Sequence, residues 1–332
     1  MNILVCGGAG FIGSAFVRNH LQNNPDDKLT NLDSLTIGSN LANLDKIKNN
    51  PNYIFIKDDI KNQSTIDKLV KDSDVIINFA AETHVDRSIA NPRPFIDTNI
   101  VGTYTILESV RKYDKFFVHV STDEIYGDAE NKDSFTEDDI LKPSNPYAAT
   151  KASADLLVKA YHRTYGINCI TTRCTNNFGP YQFPEKLIPK TIIRALKNLK
   201  VPLYGQGNQI RSWIYVLDHV QAIESLLSQG KKGEVYNITA WNEITNKTVV
   251  EKILQIMSKS PDLIEMVGDR PGHDKRYSID ASKILKTIGW KPKYEFEQAL
   301  KETVSWYQNN TTWWEPLANE MTLHPQPWTV NW

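Results

Sequence analysis

Over the first 175 or so residues, short apolar runs alternate with longer segments of helical spacing. The runs fall at residues 2–6, 29–32, 53–56, 75–79, 116–120 and 169–172. Between most of them apolar positions recur every three or four residues, as at 11–21, 95–113 and 147–165. Runs this short and this continuous read as strands buried on both faces, and strand–helix alternation predicts a parallel sheet covered by helices on each side. Beyond Asn177 the alternation loosens. Helices are expected at 187–199, 216–227, 248–257, 282–288 and 296–307, with short strands at 201–204, 213–216 and 235–238. The expected architecture is therefore α/β: a Rossmann-type doubly wound domain over residues 1–175, then a smaller mixed α/β domain over 176–332, with room for the chain to cross back to the first. The stretch after Trp314 carries no readable pattern.

Composition narrows the field. The chain has 332 residues, long enough for a sizeable core, and 38 basic side chains stand against 39 acidic ones. With charge balanced and no basic stripe, nucleic acid is not an expected partner. No apolar run approaches a membrane span, and the start, Met1-Asn2-Ile3-Leu4-Val5-Cys6, lacks the basic and small-residue features of a signal peptide. The three cysteines, Cys6, Cys169 and Cys174, have no CxxC spacing and read as reduced core thiols of a cytoplasmic protein. The seven histidines form no HxxxH or HExxH cluster, so no metal site is expected.

The first run leads into Gly7-Gly8-Ala9-Gly10-Phe11-Ile12-Gly13. This segment satisfies GxGxxG through Gly8, Gly10 and Gly13, and GxxGxxG through Gly7, Gly10 and Gly13. Glycines here allow a tight strand-to-helix turn and close approach of a pyrophosphate to a helix N-terminus. Asp33 ends the second run twenty residues after Gly13, where a carboxylate can hold ribose hydroxyls and repel a 2′-phosphate. Ser34, Leu35 and Thr36 follow without an adjacent arginine, which favours NAD over NADP. Asp59 and Ile60 follow the third run and are expected at the adenine edge. Phe79, Ala80, Ala81 and Thr83 close the fourth with mostly small side chains that admit the nicotinamide half.

The densest candidate chemistry is Ser121-Thr122-Asp123-Glu124-Ile125-Tyr126-Gly127 together with Tyr147-Ala148-Ala149-Thr150-Lys151. Asn145-Pro146 reads as a helix cap and first-turn proline, so Tyr147 and Lys151 share one helical face at i and i+4. A free tyrosine has a pKa near 10. A neighbouring ammonium and an oxidised nicotinamide are expected to lower it, so that Tyr147 takes the proton of a substrate hydroxyl. Adjacent carboxyls in a partly buried site repel as anions, which splits them into an acid and a base. Consecutive strand residues face opposite ways, so Asp123 and Glu124 can serve one substrate only if the strand has ended by Thr122.

At these motifs the chain resembles the extended short-chain dehydrogenases/reductases, and within them the dTDP-glucose 4,6-dehydratases. The segments that carry the likeness run through nearly the whole length: Ala80-Ala81-Glu82-Thr83-His84-Val85-Asp86-Arg87-Ser88, the Thr122-Asp123-Glu124 triplet, the stretch from Asn176 to Pro189, Arg270-Pro271-Gly272-His273-Asp274 and Trp313-Trp314-Glu315-Pro316-Leu317. The resemblance implies tightly bound NAD, regenerated each turnover, and a nucleotide-diphospho-glucose substrate. It implies oxidation at C4, loss of water across C5 and C6 with Glu124 as base and Asp123 as acid, and return of hydride to C6. Thr122 would contact the C4 oxygen. Thr98 and Asn177 would join the cofactor set. Thr83, Asn176, Lys186, Leu187, Arg211, Asn246, Arg270 and His273 would hold the nucleotide sugar, with Pro202 and Tyr204 beside the base. A homodimer joined through helices 95–113 and 147–165 is also implied. The chain departs from the family pattern at Ser212, where Asp is usual, and at Ile37-Gly38-Ser39. A C4 epimerase or decarboxylase on the same fold, a UDP-glucose-specific dehydratase, and a catalytically silent binding module are the competing readings. The last of these predicts loss of a catalytic side chain, and Thr122, Asp123, Glu124, Tyr147 and Lys151 are all present.

Overall fold

The computed structural model describes residues 1–330. Its first half winds β1 (Asn2–Cys6), α1 (Phe11–Asn23), β2 (Lys28–Asp33), β3 (Tyr53–Lys57), α2 (Gln63–Lys71), β4 (Val75–Asn78), α3 (Val85–Ala90), α4 (Arg93–Phe95), α5 (Thr103–Tyr113), β5 (Phe116–Thr122), α6 (Pro146–Tyr165) and β6 (Cys169–Cys174). The second half adds β7 (Asn176–Phe178), α7 (Leu187–Leu196), β8 (Val201–Tyr204), β9 (Ile210–Tyr215), α8 (Val216–Gln229), β10 (Val235–Ile238), β11 (Glu243–Thr245), α9 (Asn246–Ile256), β12 (Ile264–Val267), α10 (Ser282–Ile288), α11 (Phe296–Asn309) and α12 (Thr311–Trp314). The main sheet has seven strands in the order β10-β6-β5-β4-β1-β2-β3, every pair parallel. Order reverses between β1 and β4, the place where doubly wound sheets open a ligand crevice at their carboxyl ends.

Both faces of this sheet are apolar, as parallel pairing requires. Ile3, Val5, Val118 and Val120 pack with Phe16 of α1 and Val220 of α8 on one face. Leu4, Ile76 and Phe117 pack with Leu107 of α5 and Val158 of α6 on the other. The seventh strand comes from the second half: Val235–Ile238 pairs with Thr171–Cys174. A separate core in the second half gathers Ile192, Trp213, Val250, Leu300 and Trp314, with a three-stranded sheet β11-β9-β7 and the pair β12-β8.

Two local features depart from the expected pattern near the crevice. The segment expected as one helix over 95–113 is broken: Ile96–Gly102 forms a π-helical turn before α5. That widened turn aims Asn99 inward, where its Oδ1 accepts from the Glu82 N–H at 2.9 Å and its Nδ2 donates to Thr150 Oγ1 at 2.9 Å. Such a turn is commonly found near functional sites. The stretch after Trp314 straps back across α7, with Lys190 Nζ and Arg194 Nη1 donating to the carbonyls of His324 and Leu323 at 3.2 and 2.6 Å. Trp328 then meets Tyr204 edge-on, their ring centroids 4.8 Å apart.

Helix α6 is anchored to the sheet by a buried bidentate pair. Arg173 of β6 donates to both carboxylate oxygens of Asp155 at 2.9 and 2.8 Å, and both side chains are almost fully buried. Removing the carboxylate strands a desolvated guanidinium, which costs about 3–5 kcal/mol. Asp155→Ala should therefore lower the free energy of urea unfolding by about that amount, a loss read from the midpoint shift at unchanged slope.

Candidate active site

The strand-to-helix turn after β1 is built on glycine. Gly7 has φ +81°, and a Cβ there would stand 2.6 Å from the Ala80 nitrogen, while one on Gly13 would run into the Gly7 carbonyl. Gly10 caps helix α1 and no side chain bonds its first N–H groups, so the turn leaves donors and a positive helix end for an anion. These features fit a dinucleotide pyrophosphate. The cleft above them is lined by Gly7, Gly10, Phe11, Ile12 and Gly13, by Asp33, Ser34 and Thr36, by Asp59 and Ile60, by Phe79, Ala80, Ala81 and Thr83, and by Thr98 and Asn177.

Two expectations change here. Leu35 is not part of the cleft wall. It takes a left-handed φ of 57°, and its side chain packs beside the core on the α1 face. Asp33 is less free than a strand-end carboxylate would be: Ala9 N–H donates to its Oδ2 at 2.9 Å and Leu35 N–H to its Oδ1 at 2.8 Å. A carboxylate offers about four acceptor sites, so the backbone bonds orient it and leave lone pairs facing the cleft.

Strand β5 ends at Thr122, and a 3₁₀ turn starts at Asp123. That break satisfies the geometric condition for two consecutive carboxyls to share one site. Thr122, Asp123, Glu124, Tyr147 and Lys151 all line the same cleft as the glycine turn. Asn145 caps α6 by accepting from the Ala148 N–H at 2.9 Å, with Pro146 in the first turn. This places Tyr147 and Lys151 over the end of β5.

The electrostatics separate the two carboxyls. Asp123 is only 2% exposed. Burial, reinforced by the neighbouring Glu124 charge, pushes it up to about 8, so it keeps its proton at neutral pH. Burial also raises Glu124, but the guanidinia of Arg270 and Arg211 and the Lys186 ammonium oppose the rise. Asp123 Oδ1 accepts from the Thr122 hydroxyl at 3.3 Å, whereas its Oδ2 has no partner among the described residues. Tyr147 does not follow expectation. Burial and the charges of Glu124 and Asp123 raise its pKa well above the ordinary value. Lys151, lowered by burial to about 8, donates to the Val120 carbonyl at 2.7 Å.

Of the residues expected to hold the nucleotide sugar, Thr83, Thr122, Asn176 and Lys186 line this cleft. Lys186 Nζ donates to the Thr83 carbonyl at 3.0 Å. Leu187, Pro202, Tyr204, Arg211, Asn246, Arg270 and His273 lie outside its lining. Arg211 and Arg270 nevertheless act on Glu124, and Arg270 and Tyr204 meet on Asp86, through Nη1–Oδ1 at 3.0 Å and Oη–Oδ2 at 2.8 Å. His273 Nδ1 bonds Asp269 Oδ1 at 2.6 Å and its ring faces Tyr204. Asn246 Oδ1 is unpartnered among the described residues. Leu187 packs on the core of the second half, and Pro202 is buried in β8.

Sequence reasoning passed over Tyr277. Its hydroxyl donates to Asp274 at 2.7 Å and reaches Glu124 Oε2 at 3.4 Å, and the Arg211 guanidinium lies 4.0 Å from its ring centroid. Nothing in its spacing marks it. Glu185, paired with Arg87, also lines the cleft; it belongs to the Asn176-to-Pro189 stretch, where spacing alone gives it no role. Among the described residues no group of three or more His, Cys, Asp or Glu is placed to hold a metal ion, and no helix is long and apolar enough to cross a membrane.

A glycine-turned parallel sheet with a Tyr–Lys helix above paired carboxyls defines a dinucleotide-dependent enzyme of the doubly wound class. Within that class, the chain belongs to the GDP-mannose 4,6 dehydratase family, whose model matches residues 4–303. It is 47% identical to a dTDP-glucose 4,6-dehydratase of Escherichia coli, over 96% of this chain and 97% of that protein. The crystal structure of dTDP-glucose 4,6-dehydratase from Bacillus anthracis in complex with NAD superposes with a TM-score of 0.90 at 49% identity, covering 96% and 99% of the two chains. The Streptomyces venezuelae dTDP-glucose 4,6-dehydratase with NAD bound gives 0.93 at 44%, covering 96% and 100%.

Overpacking at a tight turn costs about 1–3 kcal/mol, roughly 5- to 150-fold in affinity. Gly13→Ala should weaken NAD binding within that range while far-ultraviolet circular dichroism stays native, as titration calorimetry on nucleotide-stripped protein would show.

Proposed function

We infer that the protein is an NAD-dependent hydro-lyase that converts dTDP-glucose to its 4-keto-6-deoxy product. The observation that carries this reading is the Asp123–Glu124 pair at the end of β5, Asp123 buried and holding its proton beside a half-buried carboxyl whose own rise is opposed by nearby cations. Neither simple oxidation nor C4 epimerisation needs such a pair. Elimination of water needs both members. The relatives' names and the NAD in their structures support the same reading.

When bound, NAD supplies reversible hydride storage between C4 and C6 of the sugar. Tyr147, aided by the electrostatic setting that the cofactor completes, removes the C4 hydroxyl proton. With C4 a ketone, the C5 proton becomes acidic, and Glu124 takes it. Asp123 gives its proton from Oδ2 to the departing C6 hydroxyl, which leaves as water. Glu124 then returns its proton to C5. Arg211 and Arg270 hold the diphosphate and favour the ionised form of Glu124; guanidinium forks suit phosphate oxygens. Thr83, Asn176 and Lys186 position the sugar and phosphates; Tyr204, Pro202, Leu187, Asn246 and His273 form the nucleoside end. Residues 1–175 mainly serve the cofactor and 176–332 mainly the nucleotide sugar.

We also read the protein as a homodimer joined through α5 and α6, whose outer faces carry Tyr104, Leu156 and Tyr165 at 47%, 53% and 54% exposure. Apolar side chains of that size, together on one surface, suit a second copy of the chain. Leu156→Glu should halve the mass seen by light scattering. A cytoplasmic location is in keeping with three free, buried cysteines.

Incubation with dTDP-glucose labelled with deuterium at C4 should give a 6-methyl product carrying the label at C6, with UDP-glucose and GDP-mannose turned over more slowly. Label retained at C4 would reject the lyase reading. Glu124→Gln should lose on the order of 10²–10⁴-fold in elimination, the worth of a positioned base, while still binding NAD and substrate. Turnover should follow a bell in pH. Asp123 acts protonated, so rate falls as pH rises past about 8. Glu124 acts ionised and its pKa is raised, so the acid limb lies above the ordinary glutamate range.

A further inference from the structure

Given NAD as the cofactor, a reading on which this inference rests, the pyrophosphate turn binds best if its N–H groups are aimed before the anion arrives. Preformed donors have no ordering left to lose on binding. Glycine permits such a turn but does not hold it, because it has the most backbone freedom of any residue. The hold must come from outside the turn.

It falls on Ala9, the residue between Gly8 and Gly10, which is fully buried. Its N–H donates to Asp33 Oδ2 at 2.9 Å. Its carbonyl accepts from the Asn40 N–H at 3.0 Å and from Asn43 Nδ2 at 2.9 Å. A carbonyl has two lone pairs, so both are used. The Ala9–Gly10 peptide leads directly into the uncapped start of α1. Pinning the Ala9 carbonyl therefore sets the plane from which the first N–H groups of α1 are aimed.

Asn43 is only 2% exposed and is itself held on several sides. Its N–H donates to the Asn40 carbonyl at 3.0 Å, its carbonyl accepts from Arg18 Nη1, and its Oδ1 accepts from Trp313 Nε1 at 3.0 Å. An indole N–H only donates and a backbone carbonyl only accepts. The Asn43 amide, placed between the two, can sit only one way round. Trp313 lies 270 positions further along the chain, in the Trp313-Trp314-Glu315-Pro316-Leu317 segment that the proposed chemistry leaves unused. Its ring is braced by Trp306 and Tyr181, with centroids 5.1 and 5.7 Å away. The Arg18 guanidinium lies 4.3 Å from the Tyr181 ring centroid. Two arms from the second half, the Trp313 indole and the Tyr181–Arg18 contact, thus converge on Asn43.

We propose that Asn43 is a positioning residue for the cofactor's pyrophosphate, and that Trp313 acts through it to set NAD affinity from the second half of the chain. Ala9, Asn43 and Trp313 all lie outside the lining of the cleft, so none of them holds the cofactor directly. The indole fixes the amide, the amide fixes the Ala9 carbonyl, and the carbonyl fixes the turn. Retention of the cofactor is in this way tied to a properly docked second half.

The test is titration calorimetry of NAD and, separately, of dTDP on nucleotide-stripped protein. Trp313→Phe keeps an aromatic ring and drops the N–H; it should weaken NAD roughly 3- to 10-fold. Asn43→Leu matches the volume and removes both donor and acceptor; it should weaken NAD on the order of 10- to 100-fold. Neither should change dTDP affinity. The double variant should bind NAD as Asn43→Leu alone does, because residues acting in series are not additive. Additive losses, wild-type NAD affinity in either single variant, or equal losses for NAD and dTDP would reduce these contacts to packing and overturn the inference. Should Asn43→Leu fail to fold, Trp313→Phe decides alone: a loss confined to NAD sustains the inference, and an unchanged or shared affinity rejects it. Failure of the wild-type protein to take up NAD would instead defeat the cofactor reading, and it would show before any substitution is made.

Discussion

The site depends on keeping a carboxylic acid dry. Asp123 lies at the end of a strand hydrogen-bonded on both sides, roofed by α6 and next to a second carboxyl. An ionised group so placed loses its hydration and gains a like-charged neighbour, and both effects favour the neutral acid. The fold surrounds this position with rigid elements: β4 and β6 hold β5 in register, and the Arg173–Asp155 pair pins α6 over it. The neutral acid is therefore a property of the scaffold more than of any one contact.

Burial raises Glu124 too, and it is the surrounding positive charge that sets it apart from its neighbour. The 3₁₀ turn directs the two side chains differently, and Glu124 reaches toward cations from the second half of the chain. Arg211 sits on β9 and Arg270 follows β12, both brought in by a core that shares little with the main sheet. Acid and base are thus set by two different parts of the molecule, one removing water and the other adding positive charge. That division couples the base to the group of residues read as the substrate's diphosphate grip.

Much of this was legible in the sequence. Six apolar runs marked the first six strands, the glycine turn marked the helix α1, and Asn145-Pro146 marked the start of α6. The end of β5 at Thr122 was a condition that the chemistry imposed, and the backbone meets it. What stayed hidden depended on contacts distant along the chain. Nothing local says that Val235–Ile238 joins the first sheet, since a short apolar strand carries no address. The π-helical turn at Ile96–Gly102 keeps nearly helical spacing and so escapes a periodicity test. Tyr277 is one tyrosine among 14, singled out only by its contacts with Arg211, Asp274 and Glu124. Leu35 reads as part of a cofactor loop until its left-handed backbone lays the side chain, half-buried, against the core.

The late arrival of the seventh strand has a consequence for synthesis of the chain. Until residues 235–238 leave the ribosome, β6 lies at the rim of the sheet with its hydrogen-bonding edge bare, and its sequence, Cys169-Ile170-Thr171-Thr172-Arg173-Cys174, is rich in the β-branched residues that recruit foreign strands. A fragment cut after the first six strands is thus an adhesive half-sheet, prone to aggregate. The first half of the chain is continuous in sequence, yet its sheet is completed only by a strand from the second.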